Sequence, residues 1–251
     1  MKSVVVVLVA AASVVLLFSA YFVTQITEAD NQQITTIRKG YLPKMIRRSK
    51  LLLQRENFQQ LSPYQAYVTP NDSAVQSLAS GSTKQQVYST AVQWVWVSDS
   101  TLNGTSEKWL TPHEFLSDTP SYPTNPVAGS RASDCEEQAY TLVSLIRAAG
   151  TSASDVRVVV GQVNFNGEIG GHAWVEVYES GGWLALEATS GPYWDDEDGR
   201  LYQSGGYPYY YFLTHTYPSI EVWGYFNDAY YYNPTTGQGN APASWRTLQS
   251  T

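Results

Sequence analysis

The chain opens on an unbroken apolar run, VVVVLVAAASVVLLFSAYFV over residues 4–23, with no charge inside it. At ~1.5 Å per residue, twenty helical residues span about 30 Å, the thickness of the bilayer hydrocarbon. The pattern predicts a transmembrane anchor over residues 1–25. A cleaved signal peptide is the competing reading, disfavoured because Phe18 occupies the small-residue position before a junction at Ala20. Residues 26–70 read as a basic stalk or linker, and residues 71–251 as a folded domain with a Tyr-rich C-terminal extension. Within it, Val87, Ala91, Trp94 and Val95 share one face of a helix-like run, Lys84 to Val97. A Pro/Ser/Thr-rich loop, 111–132, separates that run from a second helix.

The second helix has clear ends. Ser133 and Glu136 fit a capping box before it, Arg147 sits in its last turn, and Gly150 stops it, so a helix is predicted from Cys135 to Ala149. Ala139, Leu142, Ile146 and Ala149 follow Cys135 at spacings of four, three, four and three, which turns the thiol inward with the apolar face. Further on, Gly171 to Tyr178 alternates: Ala173, Val175 and Val177 on one face, His172, Trp174, Glu176 and Tyr178 on the other. Glu179-Ser180-Gly181-Gly182 is a hairpin turn into a second strand, Trp183 to Thr189. Helices first and sheet afterwards give an α+β fold class.

Composition separates two regions. The net charge of −7 conceals 8 basic and 3 acidic groups in residues 1–56 against 7 basic and 19 acidic groups beyond. Arg38, Lys39, Lys44, Arg47, Arg48 and Lys50, beside Leu51-Leu52-Leu53, suit anionic lipid headgroups or equally a solvated stalk. The acidic remainder excludes a nucleic-acid partner, which needs the opposite sign. Eight Trp and 19 Tyr exclude disorder. Basic residues flank the apolar run on both sides, and the sequons at Asn71 and Asn103 are compatible with export. The expected location is the cell membrane, single-pass, with the domain outside.

One cysteine excludes an intrachain disulfide framework and any multi-thiol metal site. A lone buried Cys is ordinarily a small hydrophobe. At a helix N-terminus, however, the dipole and free N–H groups favour its thiolate. If Tyr178 pairs with Trp183, then Trp174 faces Glu187, His172 faces Thr189, and His172 and Glu187 become diagonal neighbours on one face. A carboxylate there orients an imidazole and makes it a better base for a thiol. Glu176 is the rival acid on that face. His113 and His215 read as structural, and the acidic run Asp195-Asp196-Glu197-Asp198-Gly199 as a solvated turn, because it lacks the alternate spacing of an EF-hand loop. No metal and no cofactor is assigned.

Four stretches carry a family resemblance: Trp109-Leu-Thr-Pro-His-Glu-Phe-Leu, Ser133-Asp-Cys-Glu-Glu-Gln-Ala-Tyr through Gly150, His172-Ala-Trp-Val-Glu-Val-Tyr, and Trp183-Leu-Ala-Leu-Glu-Ala-Thr189. Together, over about Lys84 to Pro192, they resemble the transglutaminase-like superfamily, in particular its bacterial and archaeal cysteine-peptidase type. The resemblance implies a papain-like core with the Cys helix packed on an antiparallel sheet. It makes Cys135 the nucleophile, His172 the base and Glu187 the orienting acid. The chain departs from the family pattern in having Glu187-Ala188-Thr189 for Asp-Pro-Thr, and Ser133 for Gly.

The expected chemistry is attack of Cys135 on an amide or peptide carbonyl, hydrolysed through a thioester, with a peptide or protein as substrate. The Cys135 N–H is the first oxyanion donor and the Trp109 indole N–H the second, with Trp174 as a further oxyanion or support residue. Transamidation is an alternative for the same site. A non-catalytic cell-surface binding module is another, with Tyr207, Tyr209, Tyr210, Tyr211, Tyr217, Tyr225, Tyr230, Tyr231 and Tyr232 offering a partner face.

Overall fold

The computed structural model describes residues 42, 44, 45, 55–58 and 60–246. The expected transmembrane anchor, 1–25, lies outside them. Among the described residues no helix is long and apolar enough to cross a membrane. Of the expected stalk, Phe58, Leu61 and Val68 are buried in the same apolar core as the cysteine helix.

Two short helices lead in. Asp72 caps α1 (Ser73–Ala79) by accepting from the N–H groups of Ala74 and Val75, and a complete Thr83/Gln86 capping box opens α2 (Lys84–Ala91). The helix expected to run to Val97 stops at Ala91. Val95 and Trp96 instead form β1 (Val95–Trp96), because their backbone pairs on one side with β2 (Ala132–Ser133) and on the other with Tyr193. Between β1 and β2 lie α3 (Asp99–Leu102) and a π-helical turn at Glu114–Asp118.

The central helix α4 (Cys135–Ala148) follows β2 directly, and Gly150 ends it with φ 97°, the left-handed conformation that suits glycine. The expected capping box does not form. Ser133 belongs to β2, the helix N-cap is Asp134 without a side-chain cap, and the Glu136 carboxylate takes the Cys135 thiol instead. The helix is also less one-sided than its spacing suggests: every residue from Cys135 to Ile146 is buried.

The main sheet is antiparallel and has the order β5-β4-β3-β8-β9. It comprises β3 (Val156–Phe165), β4 (Glu168–Glu179), β5 (Gly182–Leu186), β8 (Ser219–Phe226) and β9 (Tyr231–Tyr232). Val156, Val158, Val160, Ala173, Val175 and Val177 share a core cluster with α4, as the alternation requires. A smaller sheet, β2-β1-β6-β7, adds β6 (Tyr193–Asp195) and β7 (Arg200–Tyr202), and α5 (Tyr211–Thr214) precedes β8. The architecture is α+β.

The hairpin register is the expected one: Tyr178 pairs with Trp183 and Glu176 with Ala185. Its turn is tighter than the four residues expected, since Glu179 pairs with Gly182 and only Ser180 (φ 53°) and Gly181 (φ 87°) reverse the chain. The second strand ends at Leu186, three residues early. Glu187 leaves the ladder to N-cap a 3₁₀ turn, Ala188–Ser190, so the expected His172–Thr189 pairing does not form.

Candidate active site

The early end of β5 brings Glu187 onto His172. His172 Nε2 lies 2.9 Å from Glu187 Oε2, and both side chains are buried. Glu187 is saturated with donors. Its Oε1 accepts from the Thr189 N–H at 3.1 Å and the Thr189 hydroxyl at 2.6 Å, and its Oε2 also accepts from the Tyr217 hydroxyl at 2.6 Å. Burial pushes this carboxyl up, but the neighbouring His172 imidazole and the hydrogen bonds from His172, Thr189 and Tyr217 outweigh it and hold it below the ordinary range. A carboxylate only accepts, so His172 Nε2 carries the hydrogen and Nδ1 is the acceptor nitrogen. That Nδ1 is buried with no hydrogen-bond partner.

Trp174 supports the imidazole as a ring, stacked on His172 at 6.4 Å between centroids and on Tyr217 at 4.9 Å. Glu176, the rival acid, is engaged elsewhere: Arg157 Nε donates to its Oε2 at 2.8 Å, and the guanidinium lies 3.8 Å and 3.7 Å over the rings of Trp183 and Tyr225.

Cys135, 1% exposed, presents its thiol to the backbone N–H of Ala173, the residue after His172. The thiol's own hydrogen bond runs to Glu136 Oε2 at 3.0 Å rather than to the imidazole. Burial and the Asp134 charge push this thiol well up, while the bonds to Glu136 and the Ala173 N–H pull the other way. In this arrangement it is held as the neutral thiol.

Beside the thiol stands a group of carboxyls that sequence reasoning did not assemble. Glu107, Asp134, Glu136 and Glu137 crowd together here, each within electrostatic reach of another of the group. Burial raises all four, Glu137 to about 7. Asp99 stands beside them, bonded to the Lys108 N–H and to Asn103. Among the described residues, Asp134, Cys135 and Glu136 offer ligand atoms within 4.8 Å of one another. The acidic run read from sequence as a turn forms one: Asp195 Oδ1 accepts from the N–H groups of Glu197 and Asp198, and its Oδ2 takes Lys44 at 2.7 Å.

The Trp109 indole N–H, expected as the second oxyanion donor, donates to Glu107 Oε1 at 2.6 Å. Its ring packs with Phe58, Tyr64, Tyr67 and Tyr140. His113 bonds to Asp72 and His215 stacks on Tyr211, both away from this site. The expected tyrosine face is mostly interior: Tyr207, Tyr209, Tyr211, Tyr217 and Tyr225 are buried, while Tyr210 is exposed.

Comparison with known proteins gives one family match and several similar structures. Residues 107–188, from Glu107 to Ala188 and including Glu187, match the family model of the Transglutaminase-like superfamily. No curated protein matches the chain. Solved structures similar to it include calcium-bound Legionella pneumophila LapG, at 16% identity and a TM-score of 0.42, covering 77% of this chain and 96% of that one. The EGTA-treated form of LapG is similar at 15% identity, a TM-score of 0.42 and coverage of 77% and 92%. A structure described as a putative cysteine protease from Cytophaga hutchinsonii shares 19% identity over 54% of this chain and 38% of that one, with a TM-score of 0.28.

Proposed function

From the transglutaminase-like match over residues 107–188, we propose that this chain is a thiol hydrolase of the cysteine-peptidase type, acting on amide bonds of a peptide or protein. One observation supports it above the others: a buried imidazole fixed by a carboxylate on Nε2, with Nδ1 left as a free acceptor one residue from the backbone that the thiol touches. In this reading His172 Nδ1 takes the Cys135 proton and the sulfur adds to the carbonyl carbon. His172 then returns the proton to the leaving amine, giving a thioester. Water, deprotonated by His172, displaces the sulfur, and the thiol recovers its proton. The N–H of Cys135 at the helix start faces the developing oxyanion.

The acid cluster extends the proposal. Four carboxyls crowded around a helix start supply oxygen donors of the kind that hard divalent cations take. Asp134 and Glu136, with Glu107 adjoining, would hold such an ion, and calcium is the ion to try first, since one of the similar LapG structures is calcium-bound. Bound there, it would draw Glu136 from the thiol and supply positive charge beside Cys135. Calorimetric titration of the chelator-stripped protein with calcium tests this part: heat of binding that disappears in Glu136→Gln is expected, and no binding at millimolar calcium refutes it.

The hydrolase reading is tested on the single thiol by intact mass. Wild type should be acylated by an activated amide and should cleave an unfolded protein substrate; Cys135→Ala should do neither, and His172→Ala should be slower by ~10² or more. A wild-type thiol no more reactive than free cysteine, with no cleavage, overturns it. Labelled primary-amine incorporation distinguishes transamidation. The uncharged segment 4–23 supports membrane anchoring with the domain outside, tested by carbonate-resistant membrane association and by labelling of Cys135 on intact cells.

A further inference from the structure

We propose that Tyr217, which lies outside the matched domain, is a positioning residue of the active site that holds Glu187 and, through it, His172. The inference rests on the reading of His172 and Glu187 as the base and its orienting acid.

The geometry is over-determined. The Tyr217 hydroxyl donates at 2.6 Å to Glu187 Oε2, the same oxygen that faces His172 Nε2. Its ring is fixed on three sides: stacked on Trp174 at 4.9 Å, and edge-on to Phe165 at 5.9 Å and Phe212 at 4.9 Å. Trp174 and Phe165 also contact the His172 ring. The backbone is pinned too, since the next residue, Pro218, accepts from the Asn164 N–H at 2.8 Å, and Ser219 enters β8 opposite Val163. Burial keeps the phenol protonated, so it remains a donor. A neutral donor on a buried carboxylate stabilises the ionised form without adding charge, and fixes the direction from which the imidazole is approached. The C-terminal tyrosine-rich segment thus contributes a side chain to the site rather than only a surface.

The test is a carboxyl titration that does not depend on turnover. In the full-length ¹³C-labelled protein, the Glu187 carboxyl carbon, assigned by its loss in Glu187→Gln, is followed against pH. In Tyr217→Phe, which keeps the ring and its stack, the carboxyl should protonate about one pH unit higher, a tenfold change in that equilibrium. The acid limb of amide hydrolysis should move with it, and adding Tyr217→Phe to Glu187→Gln should move the limb no further. Should the Phe variant be unstable, 3-fluorotyrosine placed at 217 alone, a stronger donor, should move the midpoint the opposite way. A midpoint that superimposes on wild type in these variants overturns the proposal. An inactive wild type would count against the hydrolase reading instead, while the midpoint still reads the grip of Tyr217 on Glu187.

Discussion

Replacing Glu187 by Asp, the acid usual here in the family pattern the chain resembles, removes one methylene from a side chain whose four hydrogen bonds are all accounted for. One carboxylate oxygen serves Thr189 and the other serves His172 at 2.9 Å and Tyr217 at 2.6 Å. Asp is a strong N-cap, so the bonds to Thr189 should survive at the start of the 3₁₀ turn. The carboxylate then retreats by ~1.5 Å, one C–C bond, and the His172 separation opens to about 4.4 Å, beyond hydrogen-bond range. Two bonds to a charged acceptor are lost, at ~1.5 kcal/mol each, or about 3 kcal/mol together. With a urea m-value of ~2 kcal/mol/M, the unfolding midpoint followed by Trp fluorescence should fall by about 1.5 M. If the same energy is withdrawn from the transition state, cleavage slows by ~10². An Asp variant within about 0.3 M of wild type and within about threefold of its rate would show that the longer side chain is not what joins this acid to the imidazole.

Arg157→Ala should cost ~3–5 kcal/mol in urea unfolding, because it strands Glu176 without its cation and empties the cage of Trp183 and Tyr225. Gly161→Ala drives a Cβ into the Glu221 carbonyl oxygen where β3 meets β8, so a loss of ~1–3 kcal/mol and a lower Tm are expected. The carboxyls near Cys135 bind protons more tightly folded than unfolded, Glu137 up to about 7. The chelator-stripped protein should therefore be most stable near the unfolded carboxyl range and lose stability as pH rises from ~4.5 through 7. A Tm that climbs steadily over that window would contradict this.

The sheet and helix were legible because each rests on local signals. Alternation through β4 and a Ser-Gly turn give a hairpin whose register follows from counting, and Gly150 marks a helix end by conformation alone. The nearness of His172 and Glu187 was legible too, though the way they meet was not. The expected ladder continues to Thr189, whereas the chain leaves it at Leu186 and Glu187 reaches across as a cap. Nothing local announces the remainder. Tyr217 is thirty positions from Glu187, and Glu107 meets Glu136 from a loop with no periodicity. Trp109 looked free until its indole N–H found Glu107, and Ser133 looked like a cap until its backbone was taken by β1. In each case tertiary packing selected one of several local options.

The sulfur of Cys135 sits in a residue 1% exposed, and His172 is 1% exposed beside it. A substrate backbone needs several ångströms of clear approach to a nucleophile, so on the proposed chemistry acylation would have to begin with an opening of this closed state. The rate of the proposed reaction would then be a product of chemistry and the open fraction. A form open about one part in a hundred weakens apparent substrate affinity about a hundredfold. Substitutions far from the triad that loosen the segments over the helix start should therefore raise turnover while lowering stability, separating access from reactivity.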